Sequence, residues 1–307
     1  MTATLTGRPA APAAAPPARR RRRRAVTGWL YAAPVAAVVG VLFVAPLVLV
    51  VWMSLNRWPL LGPAALNAPR NYLKVADDPL FLDAVAFTLK YTAIITVLLS
   101  ALALGLALLV QDRRPGVGFF RTAFFLPGAV GFAAAALLFY GMLNNDFGPI
   151  DPMLRALGVT GEPVRWLGTP DMALFSTIAL VLWRFAGFNM LILLTGLQAI
   201  PVEVYEAARS DGANRWQILT RITLPLLRPT LALMLILSVT GSLLAFDQFF
   251  ILTNGGPDNS TVSMVMVVYR DAFFRFDLGG AAALSVVLLV ALVALNTLQM
   301  RVLRRSR

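Results

Sequence analysis

Residues 206–213 read EAARSDGA, and residues 222–225 read ITLP. Together they frame a short polar segment between two long apolar ones. A chain that is otherwise mostly apolar has little reason to keep such a segment unless something outside the bilayer binds it. We therefore predict that this segment is a contact site for a partner.

Local signals predict a helix–turn–helix in this segment. Pro201 stands where a first helical turn tolerates proline, and Gly212 stands where a helix end favours a left-handed residue. Ala207 and Ala208 keep part of the first helix small, which allows another backbone to approach. The second helix, 215–224, has apolar residues spaced for one face: Trp216, Ile218, Leu219 and Ile222. A well-packed loop is the plainer alternative. A DNA-binding motif is disfavoured, because the helices run into apolar segments without a linker.

Composition predicts an all-α membrane protein. The chain has 307 residues, 58% of them hydrophobic and 14% charged, with a mean hydropathy of +0.73. Crossing a bilayer takes roughly 20 apolar helical residues. The apolar runs predict six transmembrane helices near 26–54, 84–110, 119–143, 172–199, 226–252 and 278–300. Cysteine and histidine are both absent, so the sequence offers no disulfide, no thiolate or imidazole metal site, and no histidine base.

The charge distribution predicts the orientation. Most of the 27 Lys and Arg residues fall in the N-terminal tail, the 111–121 loop, the 200–225 loop and the C-terminus. These segments share one side if the spans alternate. Four acidic residues accompany them: Asp112, Glu203, Glu206 and Asp211. Basic residues collect on the cytoplasmic side, so both termini are predicted to be cytoplasmic. The net charge of +12 then needs no nucleic acid to explain it.

Residues 1–25 are predicted to form a disordered, Arg-rich cytoplasmic tail. Residues 26–305 are predicted to form a single transmembrane domain. The Arg run at 19–24 also resembles the start of a signal peptide, but the apolar run after it is too long for one. An uncleaved first span, with the arginines near anionic lipid headgroups, is the favoured interpretation.

The polar segment also supports a family resemblance. Glu206-Ala207-Ala208, Gly212 and Ile222-x-Leu224-Pro225 resemble the coupling-loop motif of binding-protein-dependent ABC importer permeases. Other segments resemble the carbohydrate-uptake branch of this family, and within it the subunit type similar to the larger maltose or glycerol-phosphate permease. These segments are Asp211-Gly212-Ala213, Pro225 to Pro229, Ser54 to Trp58, Asn71-Tyr72, Phe120 to Pro127 and Leu252 to Pro257. The resemblance covers roughly residues 26 to 305. The tail at 1–24 has no counterpart in it.

The resemblance implies a multi-pass protein of the bacterial inner membrane that works in an assembly. Its partners would be a second permease subunit, two ATPase subunits, an extracytoplasmic solute-binding protein and membrane lipid. The implied ATPase-coupling residues are Glu206, Ala207, Ala208, Arg209, Asp211 and Gly212. The only lysines, Lys74 and Lys90, are not part of a phosphate-binding Gly-Lys-Ser/Thr motif. ATP and Mg would therefore bind the partner ATPase, and this chain is predicted to have no cofactor, metal or catalytic residue.

Polar residues inside predicted spans mark a candidate substrate path. An arginine at the middle of a membrane costs roughly 2.5–3.5 kcal/mol, so such residues usually face protein or water. We predict that six residues line the path: Arg184, Phe188, Asn189, Phe246, Asp247 and Gln248. The polar ones would bind sugar hydroxyls and the aromatic ones sugar rings. Alternatively, Arg184 and Asp247 form a structural pair or contact the partner permease.

The predicted function is ATP-driven import of a sugar or related polyol. The main rival is a stand-alone ion-driven transporter or channel, whose typical features are paired repeats and discontinuous helices. We find neither in the sequence. A membrane enzyme is a third possibility, but the spans contain no histidine, cysteine or close pair of carboxylates.

Overall fold

The computed structural model describes residues 31–59, 61–112 and 114–305, so the predicted tail at 1–25 lies outside the described residues. The chain divides into two compact units, residues 1–52 and 53–307. Most of helix α1 (Tyr31–Ser54) belongs to the first unit, and it includes a π-helical turn at Gly40–Val44. Its apolar side chains are exposed, as expected for a helix in contact with lipid or another subunit.

The second unit is mostly helical. Its helices are α2 (Arg70–Ala76), α3 (Pro79–Leu109), α4 (Val117–Ala129), α5 (Phe132–Leu143), α6 (Ile150–Ala156), α7 (Pro170–Gln198), α8 (Val202–Ser210), α9 (Arg215–Leu226), α10 (Arg228–Leu243), α11 (Asp247–Leu252), α12 (Met264–Phe273) and α13 (Leu278–Arg305). Within the described residues, four helices are long and apolar enough to cross a membrane, or up to six if each of the bent pairs α4–α5 and α9–α10 is one span.

Two predicted spans are broken, which corrects the sequence analysis. The run at 119–143 forms α4 and α5, which meet at a 92° bend next to Pro127 and the extended residue Val130. Proline removes a backbone donor and clashes with the preceding turn, which favours a break. The run at 226–252 forms α10 and α11, separated by three non-helical residues, 244–246. Hydropathy alone does not detect either break, because the residues at the breaks are themselves apolar.

A short pair of strands is the one departure from helical structure among the described elements. A short antiparallel ribbon pairs β1 (Asn56–Arg57) with β2 (Ala65–Leu66). Beside it, the Asn71 side chain donates hydrogen bonds to the carbonyl oxygens of Ser54 and Asn56, at 2.8 and 3.0 Å. Strands this short have no periodicity for sequence analysis to detect.

The helices pack through two principal apolar clusters. One joins α3, α7 and α12 around Tyr91, Val181 and Met266. The other joins the far ends of α3 and α7 to α10, and it includes Val110 and Ile200. The 111–121 and 200–225 loops therefore begin at the same end of the bundle, as the alternation of spans predicts.

One close approach fixes how α4 crosses α7. A Cβ atom built on Gly187 would collide with the backbone of Phe124 and Phe125. Only glycine lets the two backbones come this near. This contact places the broken third span directly against the middle of α7.

Candidate functional site

The break between α10 and α11 opens into a cavity of about 270 Å³. Irregular backbone at membrane depth is tolerated only where protein buries it or where it lines a water-filled space. Here residues 244–246 line the cavity, together with parts of α3, α5, α7 and α10. The break therefore forms part of the cavity wall.

Five of the six predicted path residues line this one cavity: Phe188, Asn189, Phe246, Asp247 and Gln248. Two of them lie on α7, and the other three lie at the break and on α11, much later in the sequence. Asn189 is 4% exposed, and its side-chain amide donates to the carbonyl oxygen of Phe185 at 3.0 Å. Its carbonyl oxygen has two lone pairs that can accept from a ligand.

The sequence analysis missed three polar lining residues: Tyr91, Ser238 and Ser242. The Gln248 amide donates to the Tyr91 hydroxyl at 3.3 Å, which joins α11 to α3 across the cavity. The Ser242 hydroxyl donates to the carbonyl oxygen of Ser238 at 2.7 Å, whereas the Ser238 hydroxyl is buried and has no hydrogen-bond partner among the described residues. Two serines one helical turn apart in an apolar span are the sequence feature that could have indicated this polar wall.

Arg184 is not among the cavity-lining residues. Its guanidinium donates to the carbonyl oxygen of Gly128 at 2.5 Å, where α4 approaches its break. The same group lies 5.1 Å from the ring centre of Phe185 and 5.8 Å from that of Phe132, and both rings line the cavity. No ion pair joins Arg184 to Asp247 among the described residues. Arg184 thus contacts two rings of the cavity wall and a backbone carbonyl, and its place in the substrate path stays a prediction.

The polar segment folds as the predicted helix–turn–helix. The amides of Gly212 and Ala213 donate to the carbonyl oxygens of Arg209 and Ala208, at 3.0 and 2.9 Å, and Gly212 has φ of +78°. This arrangement is a Schellman motif, which closes the end of α8. Asn214 and Gln217 then form a reciprocal capping box at the start of α9.

The six predicted coupling residues separate into two groups. Five are exposed on α8 and its turn: Glu206, Ala207, Arg209, Asp211 and Gly212. Ala208 is only 8% exposed and packs within the chain itself. Ala208 therefore belongs to the packing of this segment, and its predicted part in ATPase coupling stays a prediction.

The predicted apolar face of α9 needs a correction as well. Ile218, Leu219 and Ile222 are half-buried, whereas Trp216 is 70% exposed. Residues Ile218–Thr223 are π-helical, so the wider turn shifts the residues before it out of the expected register. The Trp216 ring is left on the exposed surface.

Arg121 is a further residue whose role the sequence analysis missed. Its guanidinium donates to the carbonyl oxygen of Val110 through Nε at 3.0 Å and through a terminal nitrogen at 2.6 Å. A charged donor thereby satisfies a carbonyl at the end of α3. The contact holds the 111–121 loop against the end of the bundle.

Comparison with known proteins decides the family. The model described as "binding-protein-dependent transport system inner membrane component" matches residues 11–307. The chain belongs to this family. The resemblance inferred from the 206–225 segment is confirmed, and the chain is a multi-pass permease of the inner membrane.

Individual relatives support the assignment over nearly the whole permease. This chain is 34% identical to the trehalose/maltose transport system permease protein MalF of Thermococcus litoralis over 282 residues, which cover 91% of this chain and 94% of the relative. It is 32% identical to the lactose transport system permease protein LacF of Rhizobium radiobacter over 288 residues, covering 92% and 95%.

A solved structure shows the same fold. The chain superimposes with a TM-score of 0.82 and 21% identity on one chain of a bacterial alginate ABC transporter in complex with an alginate pentasaccharide-bound periplasmic protein, covering 94% of this chain and 97% of that chain. The broken spans do show that the sequence analysis was wrong to find no discontinuous helices. Because the family is established, this feature does not favour an ion-driven carrier.

Proposed function

We propose that this permease imports a sugar or a related polyol, and that the cavity at the α10–α11 break is its substrate path. The observation that supports this most is the lining, which sets Asn189, Asp247 and Gln248 beside the rings of Phe188 and Phe246. Ligand sites of this kind combine apolar walls with a few polar groups that fix orientation. The substrates in the names of the two relatives, trehalose/maltose and lactose, support the same class.

The exposed surface of α8 and its turn is the proposed contact for an ATPase subunit. Glu206, Arg209 and Asp211 offer charge, while Ala207 and Gly212 leave room for a close approach. A Cβ on Gly212 would meet no atom within 4 Å, so its outer side is open. The Schellman motif and the capping box make the segment rigid enough to transmit a displacement into α7 and α10.

The proposed topology follows from the charge distribution. Six spans, with the broken runs 119–143 and 226–252 each counted as one span, place both termini and the 206–225 segment in the cytoplasm. The transmembrane domain would comprise residues 26–305, with 1–25 as a cytoplasmic tail. In the working assembly, a second permease, two ATPase subunits and a solute-binding protein complete the transporter. ATP and Mg would bind the ATPase subunits, so this chain is a non-catalytic subunit without a cofactor.

The substrate path is tested by uptake in proteoliposomes that contain the whole transporter. Gln248→Ala and Asn189→Ala should each lower saccharide uptake about tenfold, which corresponds to the loss of one hydrogen bond to the substrate. Basal ATP hydrolysis should remain. Leu233→Ala on α10, exposed but outside the cavity lining, is the control. Normal uptake in both cavity variants would contradict the proposed path.

The coupling surface is tested by charge reversal. Glu206→Lys should release the ATPase or uncouple hydrolysis from transport, while the membrane helices stay folded. Glu203→Lys is the matched control, since Glu203 lies one turn earlier on the same helix and is equally charged and exposed. If Glu206→Lys still co-purifies with the ATPase and transports normally, this surface does not couple.

A further inference from the structure

A second cavity, of about 300 Å³, shares the wall formed by α11 with the substrate path. Its lining comes from α11, from the loop after it and from α12 with the residues that follow: Phe250, Asn254, Met266, Tyr269, Arg270, Phe274 and Arg275. The proposed function does not use this cavity. Its walls nevertheless combine aromatic rings with guanidinium groups, as ligand sites do.

Aromatic rings connect the two cavities. Phe246 lines the first cavity, and its ring stacks on that of Phe250, which lines the second, at 5.1 Å and an interplanar angle of 16°. Tyr269 lies 5.1 Å from each of these rings, and Phe274 lies 5.8 Å from Tyr269. We call Phe246, Phe250, Tyr269 and Phe274 the aromatic track. It runs without interruption from an exposed surface to the substrate path.

Arg270 provides hydrogen-bond donors at this cavity. It donates to the Asn259 side-chain oxygen at 2.7 Å and to the Asn254 carbonyl oxygen at 3.1 Å, and both acceptors are neutral. A guanidinium has five N–H donors, so donors remain for a ligand. Burial, together with the nearby charge of Arg275, lowers the pKa of Arg270.

Arg275 differs, because carboxylates already balance its charge. It donates to Asp271 at 2.9 Å and to Asp78 at 3.2 Å. Burial raises the pKa of Asp271, and the positive charge of Arg275 opposes that rise. This ion-pair group therefore braces the wall of the cavity. Of the two arginines in the lining, Arg270 is the one that forms no ion pair with a carboxylate among the described residues.

We propose that the second cavity is an entry subsite for the transported saccharide, which passes along the aromatic track into the substrate path. The flat C–H faces of a sugar would stack on Tyr269 and Phe274, and its hydroxyls would accept from Arg270. A belt of aromatic residues at the membrane interface would account for exposed rings. It would not account for a cavity with a guanidinium in its wall or for continuity with the first cavity. This inference rests on the proposed function.

The exposed end of the track offers a matched pair of variants. Phe273 and Phe274 are neighbours, are 64% and 68% exposed, and lie 5.1 and 5.8 Å from the Tyr269 ring, but only Phe274 lines the second cavity. In the reconstituted transporter, Phe274→Ala should lower kcat/KM for uptake about tenfold at limiting loaded binding protein, as the loss of one ring stack allows. Phe273→Ala should stay within about twofold of the unmodified protein.

Binding is measured separately, with maltose, trehalose and an acidic uronate disaccharide as probes. Saturation-transfer NMR on the purified whole transporter carrying Asn189→Ala should still detect saccharide, now held at the second cavity. Adding Phe274→Ala should remove that signal, whereas adding Phe273→Ala should not. A signal from the uronate alone would assign the subsite to acidic sugars, through Arg270.

Three results would overturn the inference. Equal uptake by the Phe273 and Phe274 variants would leave the proposed function intact and eliminate the entry subsite. Weaker docking of the solute-binding protein to the Phe274 variant would show that this surface is a protein contact. If none of the three saccharides binds or is transported by the unmodified assembly, the proposed function fails, and the entry subsite fails with it.

Discussion

The substrate cavity and the 206–225 segment are built in opposite ways. The segment is local: its Schellman motif and capping box join residues within five positions of one another. The cavity is assembled from residues as far apart as Tyr91 and Gln248, which meet only because α3, α7, α10 and α11 pack around a break. One region depends on short-range backbone chemistry, and the other depends on long-range packing.

This difference predicts that one added methyl group damages the cavity region more than any single change damages the segment. Gly187→Ala should destabilise the protein by about 3 kcal/mol, because its Cβ collides with the backbone of Phe124. Gly105→Ala on α3, where a Cβ meets nothing within 4 Å, should be neutral. Chemical unfolding in detergent micelles measures both. Equal stability of the two variants would show that the α4–α7 crossing is not tightly packed.

Arg184 separates a positioning residue from a substrate-binding one. Arg184→Met should lower the free energy of unfolding by about 2 kcal/mol, because the bond of a charged donor to the Gly128 carbonyl is lost. The KM for saccharide should change little in the folded fraction. Arg165→Met, exposed and outside the predicted spans, serves as the control for removing a positive charge. A raised KM with unchanged stability would show that Arg184 contacts the substrate and does not merely position the helices.

The smallest expected effect is in the local segment. Asn214→Ala removes the side-chain acceptor for the Gln217 amide and should cost about 1 kcal/mol, confined to α9. Hydrogen exchange should become faster at residues 215–218 and stay unchanged around the cavity. Thr220→Ala, which removes a hydroxyl from the same helix without touching the cap, is the control. Faster exchange spreading to α7 would contradict the local character of this segment.

The same contrast explains how far the sequence predicts this molecule. Caps, turns and the left-handed Gly212 follow from neighbouring residue types, so the helix–turn–helix was predicted with near-correct bounds. Apolar runs likewise predicted α3, α7 and α13. The breaks at 130–131 and 244–246 were missed, because hydropathy averages over them. Five cavity-lining residues were found by polarity or ring chemistry in apolar runs, whereas Tyr91 was missed because a single tyrosine in a long span has no distinctive pattern.

The role of Arg184 could not be read from sequence for a related reason. A buried arginine indicates a polar partner without saying which one, and the partner is a backbone carbonyl of another helix, 56 positions away. Ala208 shows the same limit on a smaller scale, since a small residue allows a close approach equally by the chain itself or by another protein.

The most direct test of the central claim, that the α10–α11 break opens into a water-filled substrate path, uses the absence of native cysteine. Gly241 lines the cavity with open space beside it, and Leu233 lies on the same helix outside the lining. Thiols ionise and react in water far more readily than in lipid. In the reconstituted transporter, Gly241→Cys should react with a charged thiol reagent, and a transported saccharide should slow that reaction, while Leu233→Cys should stay unreactive. An unreactive Gly241→Cys beside a reactive Leu233→Cys would contradict the account.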